Sequence, residues 1–260
     1  MRTELISEYI GTGPDILFLH GWGMNSGIWK DIAEALSHSY RVTTLDLPGF
    51  GQNYRHFPEP YDLESVTELV ASSMHKPAAV IGWSLGGLVA QSLALNFPEK
   101  VAALVCVTSS PKFQSEQDWP GIKADVLKAF AGQLRGDTAK TIDRFLAIQA
   151  MGAERPKEQI MAIRALINAR PAPAAEALAG GLAILEQADL REQLEKIQCP
   201  NLWIYGRLDS LVPVASLELV ERLLPTSRSA LFPNASHAPF LSHGQAFTNM
   251  LSGFLSEVVG

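Results

Sequence analysis

Six short apolar runs recur along the chain and alternate with helical patterns. In order they are DILFLHG, RVTTLDLPG, AAVIGWS, VAALVCVTS, NLWIYGRLD and SALFPNASH. This alternation is typical of a parallel sheet with helices on both faces, because parallel strands are joined by long crossovers. In such sheets the active groups gather at the carboxyl ends of the strands. The sequence therefore predicts an α/β fold whose functional residues lie in the loops after these runs.

Length and composition narrow the class of protein. A chain of 260 residues is long for one domain, but α/β folds of this size often form a single unit. The beginning of the chain carries charges, and its first apolar run is too short to cross a membrane. The net charge of −6 argues against nucleic acid as a partner. We expect a cytoplasmic protein with no membrane segment.

Cys106 and Cys199 are the two cysteines of the chain. Both lie in apolar, strand-like runs, and neither belongs to a CxxC motif. We expect buried thiols rather than a disulfide or a metal site.

A stretch of about seventy residues between TSSPKF and LREQLEKIQ carries helical patterns but no convincing strand. Asp137 is placed to cap one helix, and a second pattern follows Pro156. We predict that residues 113–190 form a helical lid. In this interpretation the lid is inserted into an α/β core made of residues 1–112 and 191–260.

The predicted lid carries an unusual charge. Residues 123–170 contain nine Lys or Arg against five Asp or Glu, a balance of +4 in a chain whose net charge is −6. We call this segment the basic island. From charge alone, a solvated helix face and a surface for an acidic partner explain it equally well.

The segment GWSLG, residues 82–86, places a serine between two glycines. A strand-like run precedes it and a helical pattern that stops at Pro98 follows it, which is the setting of a nucleophile on a strained strand–helix turn. The start of a helix also supplies free N–H groups and a positive dipole end. The bare motif is common in ordinary turns, but this context favours Ser84 as a catalytic nucleophile.

A serine hydroxyl needs a base, and the base needs a third group that orients it. Asp209 follows the fifth run and His237 follows the last, which gives the order Ser, Asp, His. An ordinary Asx turn is the alternative for Asp209. His243 is the rival base, but it stands after Ser242 at the start of a helical pattern, where a capping role suits it better.

Other polar residues at strand ends have a simpler interpretation. We expect Asp46, in LDLPGFG, to form an Asx turn, and His20 to be structural. The remaining histidines lie in polar or turn-like surroundings and carry no signal: His38, His56 and His75.

An acyl-transfer serine also needs donors aimed at the oxyanion. The turn HGWG, residues 20–23, follows the first run and is placed to offer the N–H of Trp22, with that of Leu85 as the second donor. A core aromatic is an equally good interpretation of the side chain of Trp22. The role of its backbone N–H depends on position alone.

These residues resemble the α/β-hydrolase superfamily across nearly the full length of the chain. The segments SSPKFQSEQDWPGIKADVL, RFLAIQAMG and GGLAILEQADLR of the predicted lid are more specific. With the other motifs, they resemble the pimeloyl-[acyl-carrier protein] methyl ester esterase family of biotin synthesis. The resemblance implies a catalytic triad, two oxyanion donors and lid residues that line the acyl site. The implied triad is Ser84, Asp209 and His237. The implied oxyanion donors are Trp22 and Leu85. The implied acyl-site residues are Phe145 to Gln149, and Trp22 also touches substrate.

The same resemblance implies that basic lid side chains meet an acidic acyl-carrier protein. The residues that match this role are Lys140, Arg144, Lys157 and Arg164. Met161 departs from the pattern, since it stands where the family has another basic residue. We expect no cofactor, no metal and a monomer.

The function that this resemblance implies is hydrolysis of the methyl ester of a pimeloyl chain carried on acyl-carrier protein. Two alternatives remain open from the sequence. One is a broad short-chain carboxylesterase without a protein partner, and the other is a ligand-binding or scaffold protein of the same fold that has lost turnover. A dehalogenase would carry aspartate at the position of Ser84.

Overall fold

A seven-stranded sheet forms the centre of the fold in a computed structural model, which describes residues 4–149 and 155–259. The strands are β1 (Ser7–Ile10), β2 (Asp15–Leu19), β3 (Arg41–Leu45), β4 (Ala78–Trp83), β5 (Val101–Val107), β6 (Asn201–Gly206) and β7 (Arg228–Phe232). Their spatial order is β1-β3-β2-β4-β5-β6-β7. Every pair is parallel except β1 with β3. The predicted α/β-hydrolase fold class is confirmed.

Ten α-helices are described. They are α1 (Lys30–Leu36), α2 (Leu63–Ser73), α3 (Leu85–Asn96), α4 (Ala124–Leu134), α5 (Thr138–Gln149), α6 (Pro156–Asn168), α7 (Ala175–Gln187), α8 (Ala215–Leu223), α9 (Pro239–Ser242) and α10 (Gly244–Val258). None of these helices, within the described ranges, is long and apolar enough to span a membrane.

The sheet divides the core into two layers because successive side chains of a strand point to opposite faces. In β2, Ile16 and Phe18 pack with α1 and α10, whereas Leu17 and Leu19 pack with α2, α3 and α8. Both faces of the central strands are therefore buried. This burial explains why their sequences are continuous apolar runs rather than alternating ones.

The stretch between β5 and β6 is helical, and its described part contains only two isolated β-bridges. Asp137 caps α5 as predicted, since its side chain accepts a hydrogen bond from the backbone N–H of Lys140 at 2.9 Å. The helix predicted after Pro156 begins at that residue. Residues 150–154 of the predicted lid lie outside the described residues, and the division into core and lid stays a prediction.

The two ends of this stretch meet each other. Lys112, near the start of the stretch, pairs with Glu116 at 2.9 Å and with Asp189 at 3.1 Å. Arg191, at its end, pairs with the same two carboxylates, at 2.6 Å to Asp189 and 2.9 Å to Glu116. We call these four residues the neck network. It ties the exit and the return of the inserted segment to each other.

The cysteine prediction is only half right. Cys106 is fully buried in β5, but Cys199 is partly exposed because it lies in the turn before β6 rather than in the strand. Both thiols are free.

Candidate active site

Ser84 stands at the sharp turn between β4 and α3. Its φ of 54° and ψ of −117° lie in a region that side chains rarely adopt. The glycines around it make the turn possible: a Cβ built on Gly82 would lie 2.2 Å from the carbonyl oxygen of Gly86, and one on Gly86 would lie 2.6 Å from that of His20. The backbone N–H of Ser84 donates to the carbonyl of Val107 at 3.0 Å. The turn is thus fixed on both sides.

The structure brings Asp209 and His237 together. Their Oδ2 and Nδ1 atoms lie 2.7 Å apart, and both side chains are buried. The other oxygen of Asp209 accepts the backbone N–H groups of Leu211 at 2.8 Å and Val212 at 3.1 Å. Asp209 is therefore an oriented acceptor, which assigns the Nδ1–H tautomer to a neutral His237.

The remaining ring nitrogen of His237 is free. Its Nε2 is buried and has no hydrogen-bond partner among the described residues. A buried acceptor without a partner is costly in a structure that has no use for it. It is the position that a proton from a neighbouring hydroxyl would occupy.

The backbone of His237 is fixed to the strand ends next to Ser84. Its carbonyl accepts hydrogen bonds from Nε1 of Trp83 at 2.8 Å and from the hydroxyl of Thr108 at 2.6 Å. Thr108 directly follows β5, has a φ of 39°, and donates its own N–H to the carbonyl of Ile204 at 2.7 Å. Sequence reasoning missed Thr108, because a threonine after a strand carries no signal of such a long-range contact.

The turn of residues 20–23 lies against the serine. A Cβ built on Gly21 would be 3.3 Å from Cβ of Ser84. The indole of the next residue, Trp22, is buried and donates its Nε1–H to the carbonyl of Leu178 at 2.9 Å. Leu85 is the first residue of α3. The structure thus brings Ser84, Trp22 and Leu85 to one corner of the molecule.

Phe145 and Gln149 face inward from α5. The ring of Phe145 lies 4.9 Å from that of Trp22, in an edge-on arrangement. The side-chain amide of Gln149 is buried, and neither its oxygen nor its nitrogen has a hydrogen-bond partner among the described residues. The backbone carbonyl of Gln149 accepts a hydrogen bond from the hydroxyl of Ser236 at 3.1 Å. These two side chains therefore border the same corner as His237.

The four basic residues predicted to meet a carrier do not join this corner. All are exposed on α5 and α6: Lys140, Arg144, Lys157 and Arg164. Arg164 is already paired with Asp143 at 2.8 Å. Lys140 and Lys157 have no ion pair within the part of the chain that the structure describes. Met161 is 69% exposed on α6.

His20 has a structural role, as expected. Its Nδ1 donates to the carbonyl of Gly21 at 2.8 Å, and its Nε2 accepts the N–H of Leu47 at 2.9 Å, so both nitrogens are used. Burial lowers the pKa of His20, despite the opposing charge of Asp46. A neutral ring with two occupied nitrogens cannot act as the base.

Asp46 does more than the predicted Asx turn. Its carboxylate accepts the N–H groups of Ser26 and of Gln52 and pairs with Arg170 at 3.2 Å. It thereby ties the end of β3 to the chain that follows α6. This explains its burial without a catalytic role.

His243 is the N-cap residue that precedes α10, as expected, but its side chain caps no helix N–H. Its Nδ1 pairs instead with the hydroxyl of the adjacent Ser242 at 2.8 Å. The predicted capping bond is therefore wrong, because the ring turns toward its neighbour and away from the helix.

The chemistry available here is acyl transfer. A serine on a strained turn at a helix start lies beside a backbone turn. The residue that carries the carboxylate-oriented imidazole, with its free nitrogen, is bonded through its carbonyl to the strand ends next to that serine. This set offers a candidate nucleophile, a candidate base and candidate oxyanion donors.

Comparisons with known proteins agree with this chemistry. A family model described as alpha/beta hydrolase fold matches residues 14–244. A pimeloyl-[acyl-carrier protein] methyl ester esterase of Pseudoalteromonas atlantica is 48% identical over 248 residues, which cover 95% of this chain and 96% of that protein. The esterase of the same name from Aeromonas hydrophila subsp. hydrophila is 47% identical over 248 residues, covering 95% and 98%.

Solved structures support the fold. An esterase from Exiguobacterium antarcticum superposes with a TM-score of 0.87 at 23% identity, covering 97% of this chain and 95% of that one. The resemblance that the motifs indicated is confirmed, because the matching relatives extend through the lid segments as well as the shared motifs. The chain belongs to the α/β-hydrolase family and, within it, to the family of pimeloyl-[acyl-carrier protein] methyl ester esterases.

Proposed function

We propose that this chain hydrolyses the methyl ester of pimeloyl-[acyl-carrier protein] and so frees the pimeloyl carboxylate for biotin synthesis. The observation that carries the proposal is the His237–Asp209 pair, 2.7 Å apart and buried, whose Nε2 is free beside the Ser84 turn. The names of the relatives supply the substrate. The arrangement of the residues supplies the chemistry.

In the first half of the reaction, the hydroxyl of Ser84 attacks the ester carbonyl while Nε2 of His237 takes its proton. The tetrahedral oxyanion is met by the backbone N–H groups of Trp22 and Leu85. His237 then gives the proton to the departing methoxy group, which leaves as methanol. The pimeloyl chain stays on Ser84 as an ester.

In the second half, His237 takes a proton from water, and the resulting hydroxide attacks the acyl-serine. Collapse of the second tetrahedral intermediate breaks the bond to Ser84, which regains its proton from His237. The pimeloyl carboxylate leaves and the enzyme returns to its starting state. Asp209 keeps the Nδ1–H of His237 oriented and stabilises the imidazolium in both halves.

The acyl chain would pass between Trp22 and α5, where Phe145 and Gln149 face inward. The carrier protein would meet the outer surface of the basic island, through Lys140, Arg144, Lys157 and Arg164. Complementary charge of this kind raises encounter rates more than it raises affinity. At position 161 the family pattern would provide another basic side chain. Because this chain has Met161 there, its basic island carries one positive charge fewer than the pattern would give.

We also propose that the protein works as a cytoplasmic monomer. Its proposed partner is a soluble carrier, and the proposed acyl site is built within one chain.

The test compares the hydrolysis of pimeloyl-[acyl-carrier protein] methyl ester with that of free methyl pimelate. We expect a higher kcat/KM for the carrier-bound ester at low salt. Equal values would favour a broad short-chain carboxylesterase. Labelling of Ser84 by a fluorophosphonate without turnover of either ester would favour a binding protein that has lost catalysis.

A further inference from the structure

Helix α7 packs on both proposed oxyanion donors at the same point. A Cβ built on Gly181 would lie 2.7 Å from Cδ1 of Trp22 and 3.3 Å from Cδ2 of Leu85. One turn earlier, the carbonyl of Leu178 accepts the indole N–H of Trp22 at 2.9 Å. One stripe of α7 therefore contacts the two residues whose backbone N–H groups would meet the oxyanion.

The indole has little room to move away from α7. Trp22 is fully buried, and its ring lies edge-on to Phe145 with 4.9 Å between the centroids. Phe145 is in turn backed by Phe130, with 5.6 Å between those rings. A close-packed interior of this kind transmits a displacement rather than absorbing it.

Helix α7 is also held on a neighbouring face. A Cβ built on Gly180 would lie 2.4 Å from the ring of Tyr61, whose hydroxyl donates to the carbonyl of Pro48 at 2.7 Å. One turn earlier, Ala177 packs against Gly49, where a built Cβ would approach it to 2.2 Å. Helix α7 is therefore closely packed on both of these faces.

We infer that Gly181 is a positioning residue for the oxyanion hole. The absence of a side chain at this position, together with the carbonyl of Leu178, sets where the Trp22 turn and the start of α3 stand relative to Ser84. The inference rests on the proposed esterase function. It assigns to α7 a part in catalysis that is not predictable from the residues alone, because a Gly–Gly pair in a helix indicates only close packing.

The neighbouring glycine provides a matched control. Gly180→Ala and Gly181→Ala make the same change in the same helix, and each places a methyl group against an aromatic ring. The three atoms nearest to a methyl group at position 181 belong to Trp22 and Leu85, whereas the three nearest to one at position 180 all belong to Tyr61. A general effect of tighter packing would appear in both variants, whereas an effect on the oxyanion hole would appear in one.

The experiment measures the hydrolysis of p-nitrophenyl butyrate and the inhibition by an alkyl trifluoromethyl ketone, which forms a tetrahedral adduct with serine. We expect Gly181→Ala to lower kcat by about tenfold or more, less than the loss of a whole oxyanion donor. KM should stay within about twofold, and the ketone should bind more weakly by a factor similar to the loss in kcat. Gly180→Ala should change the kcat and the ketone affinity little.

A rescue variant tests the contact itself. In a Trp22→Phe background the smaller ring leaves space for the added methyl group, so Gly181→Ala should cost less there than in the wild type. The same background serves if Gly181→Ala alone does not fold. Trp22→Phe also removes the indole N–H that donates to Leu178, so this change should by itself lower kcat and weaken binding of the ketone.

Equal losses in the two alanine variants would overturn the inference, as would a loss confined to KM. The Ser84→Ala variant separates this failure from that of the proposed function. If Ser84→Ala is inactive while the two glycine variants behave alike, only the role of Gly181 is wrong. If Ser84→Ala keeps activity, the esterase site is wrong, and the inference falls with it.

Discussion

His237 is held at both ends of the residue. Asp209 fixes its ring, while Trp83 and Thr108 fix its carbonyl at 2.8 and 2.6 Å. A base that must face a serine after each turnover benefits from this double anchoring, because small displacements of a catalytic group cost rate. These contacts use Nδ1 and the backbone carbonyl of His237, and they leave Nε2 free.

The two histidines near the end of the chain make contrasting predictions. His237→Ala should lower kcat about as much as the loss of the serine, on the order of 10⁶. His243→Ala should leave ester hydrolysis within about tenfold and cost less than about 1 kcal/mol of stability, because its ring caps no helix N–H. Steady-state kinetics and urea unfolding of both variants check this. The opposite ranking would place the base at His243.

Thr108 should affect catalysis through its hydroxyl. Thr108→Val keeps the branched shape but removes the donor to the His237 carbonyl, so kcat should fall several-fold and stability by about 1 kcal/mol. Thr108→Ser keeps the hydroxyl and should keep most of kcat. If the valine and serine variants lose kcat equally, the backbone conformation of Thr108 matters and its hydrogen bond does not.

Residues at strand ends could be selected from the sequence, whereas residues that support them could not. Ser84, Asp209 and His237 each follow an apolar run, so their positions in a parallel sheet are predictable. Thr108 and Gly181 act through contacts with residues 129 and 159 positions away, counted from His237 and Trp22. A single sequence shows no trace of such contacts.

Helix α5 shows two faces. Phe145 and Gln149 are buried against the candidate site, whereas Lys140 and Arg144 are exposed on the outer side. The helix can therefore touch an acyl chain on one side and a carrier protein on the other. This separation makes the two functions independently testable.

Reversal of Lys140 and Arg144 to Glu should raise KM for the carrier-bound ester several-fold. Exposed charges contribute little singly, but their effects on an acidic partner add and are screened by salt. The penalty should therefore shrink as salt is added. Hydrolysis of p-nitrophenyl butyrate should barely change.

A double reversal outside the basic island is the control for that experiment. Lys76→Glu with Lys196→Glu makes the same change of net charge on exposed residues. It should affect the carrier-bound ester less than the α5 variant does. A similar penalty from both pairs would reduce the basic island to a solvated face.

The six strands predicted from apolar runs all form, but β1 was not predicted. Its four residues, Ser7–Ile10, are all exposed and show no apolar pattern. The strand exists because it pairs with β3 along the open edge of the sheet. Buried strands are recognisable as apolar runs in the sequence, whereas an exposed edge strand that is held by pairing has no such pattern.

At the scale of the whole molecule, ion pairs tie the helices between β5 and β6 to the rest of the fold. The neck network joins Lys112 and Glu116 to Asp189 and Arg191. On the other side, Arg170 pairs with the buried Asp46. These contacts hold the helices between β5 and β6 to the rest of the fold.

The neck network predicts a dependence of stability on acid. Its hydrogen bonds with Arg191 hold the pKa of Asp189 at about 2, whereas an aspartate in an unfolded chain titrates near about 3.9. The stabilisation is therefore fully present above that unfolded value and is lost as the pH falls toward 2. Asp189→Asn should lower the free energy of unfolding at pH 7 by on the order of 1 kcal/mol, because the pairs are partly exposed.

Urea unfolding at several pH values checks this prediction. The difference between wild type and Asp189→Asn should narrow as the pH falls from about 5 toward 3. Asp118→Asn, an exposed change in the same segment, should show no such narrowing. A difference that stays constant with pH would mean that Asp189 acts through packing and not through its charge.

The most direct test of the account is methanol release from pimeloyl-[acyl-carrier protein] methyl ester by the wild type and by Ser84→Ala, measured side by side. The wild type should turn the ester over many times. The variant should keep its fold, because the change removes one oxygen atom and leaves the backbone hydrogen bond of the turn to Val107 in place. It should lose on the order of 10⁶ in kcat. Methanol release by Ser84→Ala within tenfold of the wild type, or none by the wild type, would contradict the account.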